Sequence, residues 1–243
     1  MSVLQASEVR VWTARPDDFS DAQWLNMALS LDNMERIQSG RFKWEADRRA
    51  YILAHALRRT ALAEILEVAP STIVFSCEEN GKPLLIEPLE AAIFFSHSRS
   101  RSMVACAVTR IGPVGIDVEA TQQGNADFDL LANFATLPDS LRREAELGAD
   151  PSRQFFFYWT ALEAFWKADG GGLSFANPRI QCQKNQRGQF EIALETDGFA
   201  MSKARLIPVR SPADCSIALV LNYSRGHVSE VNVEIICNLL RFL

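Results

Sequence analysis

One order of elements is legible twice in this chain, a strand, then a long helix, then several short strands, and it restricts the chain to an α+β fold. In the first copy Glu8-Val9-Arg10-Val11-Trp12-Thr13 alternates as a strand does, and a polar, Asp-rich connection leads into a helical pattern over 42–67. Tyr51, Ile52, Leu53, Leu57, Leu62, Ile65 and Leu66 supply its apolar stripe, and Pro70 ends it. Short strands follow at 72–76 and 91–95, separated by the turn signal Asn80-Gly81-Lys82-Pro83; 103–109 and 114–119 then read as a hairpin about Gly112-Pro113. A polar stretch from Thr121 to Asp127 is a candidate hinge. Beyond it come a helical region over 127–147, a helix from about Ser152 to Gly170-Gly171-Gly172, and strands near 189–194, 200–206, 215–221 and 228–236. The expected organisation is two similar α+β halves, 1–120 and 121–243, with the active site between them.

Composition narrows the function. With 243 residues, 48% of them hydrophobic, the chain can bury a sizeable core. No apolar run approaches the roughly 18 residues of a membrane span, and no signal-peptide pattern opens the chain, so a cytoplasmic protein without a membrane partner is expected. Five cysteines, with no C-x-x-C pair, suggest reduced, mostly buried thiols rather than a zinc site or a disulfide framework. The net charge of −5 argues against a nucleic-acid partner. Residues 36–59 are nonetheless basic, which suits an acidic partner or a phosphorylated ligand, or equally an ordinary solvated helix face.

The chemistry concentrates in two motifs. In Gly115-Ile116-Asp117-Val118-Glu119 two carboxylates two residues apart leave one face of a strand, a seat for a hard cation. Alone, the triplet also reads as a solvated strand edge. The second motif is Trp159-Thr160-Ala161-Leu162-Glu163-Ala164-Phe165-Trp166-Lys167, where Glu163 and Lys167, four apart, share a helix face. Asp117, Glu119 and Glu163 as oxygen ligands suit Mg²⁺, which binds through a few carboxylates and substrate phosphates, and Lys167 would meet the phosphate oxygens. Trp159 and Trp166 read as core aromatics.

These motifs, with Asn80-Gly81-Lys82-Pro83 and Phe94-Phe95-Ser96-His97-Ser98 before them and the Arg-bearing segment Glu45-Ala46-Asp47-Arg48-Arg49 further upstream, occur in the order seen in the 4′-phosphopantetheinyl transferases of the surfactin-synthetase-activating (Sfp-like) type, which the chain resembles over most of its length. The resemblance implies a fold of two α+β halves related by pseudo-twofold symmetry. It implies Mg²⁺-dependent transfer of the 4′-phosphopantetheine arm of coenzyme A to a serine of an apo acyl or peptidyl carrier protein, releasing 3′,5′-ADP, by a monomer. Asp117, Glu119 and Glu163 would hold the metal; Glu163, as general base, and Lys167 would be catalytic. Arg49, Lys82, Ser96, His97 and Lys167 would contact the coenzyme A phosphates, with Arg48 as an alternative register for Arg49. The family's further acid after a Phe-Phe-Ser segment has no counterpart in register, Asp139 lying close by in Phe134-Ala135-Thr136-Leu137-Pro138-Asp139. Leu162 stands where the family carries a lysine, the loss of one phosphate-facing cation. That substitution motivates a second reading, a coenzyme A-binding or carrier-docking protein with weak or lost transfer. A Mg²⁺-dependent phosphohydrolase on the same carboxylates is a third.

Overall fold

The computed structural model describes residues 4–79, 81–89, 93–121, 126–174, 178–185, 190–194, 203–207, 209–222 and 231–237. In chain order its strands and α-helices are β1 (Glu8–Ala14), α1 (Asp21–Ser30), α2 (Asn33–Ser39), α3 (Glu45–Leu66), β2 (Val74–Cys77), β3 (Pro83–Glu87), β4 (Phe94–Arg99), β5 (Val104–Thr109), β6 (Val114–Ala120), α4 (Phe128–Ala132), β7 (Ala135–Thr136), α5 (Asp139–Leu147), α6 (Pro151–Asp169), β8 (Ile180–Lys184), β9 (Phe190–Leu194), β10 (Lys203–Ile207), β11 (Cys215–Asn222) and β12 (Asn232–Ile236). The mixed α+β class expected from the sequence is the class observed.

The chain divides into two compact units, Met1–Ile111 with Glu230–Leu243, and Gly112–Ser229. The first carries a four-stranded sheet ordered β12-β1-β5-β4 and a separate β2-β3 ribbon. Leu53, Leu57 and Leu62 of α3 are wholly buried in a core with Trp12 of β1 and with Val104, Cys106 and Val108 of β5. The second unit carries a six-stranded sheet ordered β6-β11-β10-β9-β8-β7. There Phe155, Leu162, Phe165 and Trp166 of α6 share a core with Ile192, Ala218 and Val220.

The division falls between Ile111 and Gly112, where the sequence suggested a break after 120. Hydrogen bonding explains the difference: all seven residues of β6 pair with β11 of the second unit, whereas β12 pairs in parallel with β1 of the first. The hairpin expected about Gly112-Pro113 does not form. Both edges of β5 are already taken, by β1 on one side and β4 on the other, so β6 finds its partner elsewhere. The polar connection before α3 holds two short helices, and the region over 127–147 is interrupted by β7. Residues 122–125 of the candidate hinge, Asn80, and residues 91–92, 189, 200–202 and 228–230 of the expected strands lie outside the described residues.

Candidate active site

Three strand residues of one parity set up the site in the second unit. Gly115, Asp117 and Glu119 alternate along β6 and therefore leave one face of it. Gly115 is there because α6 passes directly over it: a Cβ on Gly115 would run into the Ala164 carbonyl oxygen and stand 2.6 Å from the Ala168 backbone nitrogen. A glycine inside a strand marks close approach of another backbone, and here that backbone carries Glu163 and Lys167. Helix α6 is fixed at both ends. Asp150 accepts from the Arg153 amide at 2.9 Å, Pro151 occupies the first turn, and Gly170 ends the helix with φ +94°. Along its length Thr160 Oγ1 lies 3.0 Å from Ser216 Oγ of β11, and Ser216 stands opposite Glu119 in the sheet.

Lys167 Nζ donates to Asp117 Oδ1 at 2.6 Å, and Asp117 is only 3% exposed. Burial pushes the Glu119 carboxyl up to about 7; the Asp117 and Glu163 carboxylates push the same way and Lys167 opposes them. Glu163 is also raised, by burial first and then by Asp117, against Lys167. Asp117, Glu119, Glu163 and Lys167 thus act on one another electrostatically, and the structure brings the four together from two elements. Among the described residues no three histidine, cysteine or acidic side chains already stand as a group able to hold a metal ion. The donor chemistry still fits a hard cation: all three are carboxylates, and the crowding that raises Glu119 and Glu163 is what a divalent cation relieves.

Leu162 is 0% exposed and lies in the apolar core of the second unit.

The remaining candidates belong to the first unit. Arg49, one turn into α3, donates from Nε to Glu45 Oε1 at 3.0 Å and lies over the Trp24 ring; Arg48 forks onto the same Glu45. Lys82 ends the turn between β2 and β3, where its carbonyl accepts from the Glu78 amide and Gly81 adopts φ +84°. Ser96 and His97 are neighbours in β4, so their side chains leave opposite faces. His97 takes the face that meets α3, with its ring 5.4 Å from that of His55. Sequence reasoning passed over Gly115 as a positioning residue, although a glycine within an alternating strand was the available signal.

Carboxylates and a lysine on one helix-sheet face are a donor set whose chemistry is compatible with a hard cation and with phosphate oxygens. Comparison with known proteins is more specific. Residues 113–219 match the model of the 4′-phosphopantetheinyl transferase superfamily, and residues 13–110 match that of the N-terminal part of 4′-phosphopantetheinyl transferases. The chain is 31% identical over 173 residues to the 4′-phosphopantetheinyl transferase HetI of Nostoc sp., covering 70% of this chain and 72% of that protein. It is 28% identical over 181 residues to the 4′-phosphopantetheinyl transferase Sfp of Bacillus subtilis, covering 70% and 79%. A phosphopantetheinyl transferase of Thraustochytrium sp. is 28% identical over 208 residues, covering 81% and 71%. The chain belongs to the 4′-phosphopantetheinyl transferase superfamily, and its enzyme class is that of the phosphopantetheinyl transferases. Among the described residues no helix is long and apolar enough to cross a membrane.

Proposed function

We propose that the protein is a cytoplasmic, monomeric holo-carrier-protein synthase that moves the 4′-phosphopantetheine arm of coenzyme A onto a serine of an apo acyl or peptidyl carrier protein. The observation that carries the reading is the mutual electrostatic grip of Asp117, Glu119, Glu163 and Lys167, in a chain whose relatives are phosphopantetheinyl transferases. In the reaction the carrier serine oxygen bonds to the phosphorus that bears the pantetheine arm. The bond from that phosphorus to the bridging oxygen breaks, and 3′,5′-ADP leaves with the electron pair. Glu163, held at the site with a raised pKa, accepts the serine proton. Lys167 faces the pyrophosphate as a fixed cation. Asp117, Glu119 and Glu163 would hold Mg²⁺; when bound it neutralises charge on the pyrophosphate oxygens. Arg49, Lys82, Ser96 and His97 serve as contacts for the remaining coenzyme A phosphates. The alternative, a coenzyme A-binding or carrier-docking protein with weak or lost transfer, keeps its motive in Leu162, a buried apolar residue at the position where the family carries a lysine.

The test incubates the protein with coenzyme A, Mg²⁺ and a panel of apo carrier proteins and reads intact carrier mass, with Glu163→Ala and chelator controls. A metal-dependent gain of one phosphopantetheine is expected. Coenzyme A binding without any gain would overturn the transfer reading, and release of phosphate from coenzyme A without a carrier would point to hydrolysis.

A further inference from the structure

In the first unit a polar network runs from α2 through the buried face of α3 to β4. Glu35 begins it. This carboxylate closes the α2 capping box with Asp32, accepting from the Asp32 amide at 2.9 Å, and is 6% exposed. Arg58 Nη2 donates to its Oε1 at 2.6 Å, and Arg59 Nε donates to its Oε2 at 2.9 Å. Both guanidiniums are nearly inaccessible, and Arg59 is tied further to Asp32 and to the Ile73 carbonyl. So many charge-assisted bonds fix the carboxylate in one place.

His55 is the next member. Its Nδ1 lies 2.9 Å from Glu35 Oε1, and its ring is stacked on Tyr51 with centroids 4.0 Å apart and an interplanar angle of 27°. A ring held by a hydrogen bond at one edge and by a stacked phenol on one face has a single orientation. Against it stands His97, ring to ring at 5.4 Å and 78°, an edge-to-face contact. Neighbouring groups on the same side of β4 are equally occupied, with Phe95 packed into the α3 core and Arg99 over the Phe42 and Tyr51 rings.

We infer that His55 and Glu35 are positioning residues: Glu35 orients His55, and His55 holds the His97 imidazole in the orientation in which it meets a phosphate of coenzyme A. The inference rests on the reading of His97 as a phosphate contact given above. A preoriented side chain loses less rotamer freedom when the ligand arrives, so the support is felt in affinity for coenzyme A rather than in the chemical step.

The test is a double-mutant cycle on His55 and His97 with coenzyme A and one apo carrier, followed by transfer kinetics. His55→Phe keeps the ring on Tyr51 and removes the bond to Glu35. It is expected to raise KM for coenzyme A about three- to tenfold with kcat nearly unchanged. In a His97→Ala background the same change is expected to do almost nothing, because its effect passes through His97. Independent, multiplying effects, or an unchanged KM for His55→Phe beside a raised KM for His97→Ala, would overturn the positioning role alone. An unchanged KM for His97→Ala would instead remove the phosphate-contact reading. Should His55→Phe fail to fold, imidazole ¹⁵N spectra of the native protein decide: titration with coenzyme A must move the resonances of both His97 and His55, and movement at His97 only refutes the coupling.

Discussion

Lys167 holds Asp117 across the gap between α6 and β6, its Nζ 2.6 Å from Oδ1, and this one bond joins the two chemistry-bearing motifs of the chain. The pair is unequal, since the Asp117 side chain is 4% exposed and that of Lys167 30%. Removing the lysine leaves a buried anion among other anions, and removing both charges does not.

Lys167→Ala is accordingly expected to lower stability by about 1–3 kcal/mol, less than a fully buried pair would lose because water reaches the ammonium. Transfer is expected to fall about 100-fold or more with the loss of a fixed cation at the phosphates. Thermal unfolding and carrier mass spectrometry measure the two. Combining Lys167→Ala with Asp117→Asn should recover stability without recovering transfer.

Gly115→Ala, a change of one methyl group, should cost about 3 kcal/mol or more, because the atoms it meets are the backbone of α6 and not a side chain that can turn aside. Denaturant unfolding reads the loss, and whatever protein folds should show weakened transfer from displacement of Glu163 and Lys167.

Glu119 has an opposite pH signature from Glu35. Its folded pKa, about 7, lies above the ordinary value of 4.5, so the contribution of this group to stability is fully present below pH 4.5 and is lost as pH rises through 7. In chelator, Glu119→Gln should therefore leave the melting temperature unchanged near pH 4.5 and raise it at pH 8.5. Glu35 behaves in the reverse sense: burial raises its pKa, but the bonds from His55 and the Asp32 amide and the charge of Arg58 win and bring it to about 2. Its contribution is present above pH 4.5 and is lost as pH falls toward 2, and Glu35→Gln should remove that acid-side loss. Melting curves of the two variants across pH 2–9 separate the slopes.

Leu162→Lys restores the residue type that the resemblance assigns to that position, yet it should not improve coenzyme A binding. The side chain is 0% exposed, and an ammonium placed in that core costs about 3 kcal/mol or more. Titration calorimetry with coenzyme A and a melting curve check both halves of the expectation.

The long helices and the central strands were legible because their periodicity is local. β1, α3, α6 and β11 were all expected within a few residues of where they lie. Helices α1 and α2 were passed over because little of either is buried: Trp24 and Met27 in α1, Glu35 and Ser39 in α2, with Leu25, Leu29, Met34 and Ile37 exposed. That leaves no apolar stripe to recognise. The supposed β5–β6 hairpin failed because adjacency in sequence says nothing of which strand already occupies an edge. The carboxylates of β6 and the Glu163–Lys167 spacing were readable from residue type and period alone. The Glu35–His55 bond spans 20 positions and joins residues whose types are unremarkable singly, so only the packed chain reveals it.

The parallel pairing of β12 with β1 sets Glu8 against Asn232 and Trp12 against Ile236. On the ribosome, therefore, the unit whose synthesis begins first is the one completed last. Its first strand keeps one edge unpaired until residues 232–236 pair with it, whereas Gly112–Ser229 is a continuous stretch that needs none of them to close its sheet. A strand distant in sequence thus acts as the clasp of the first unit.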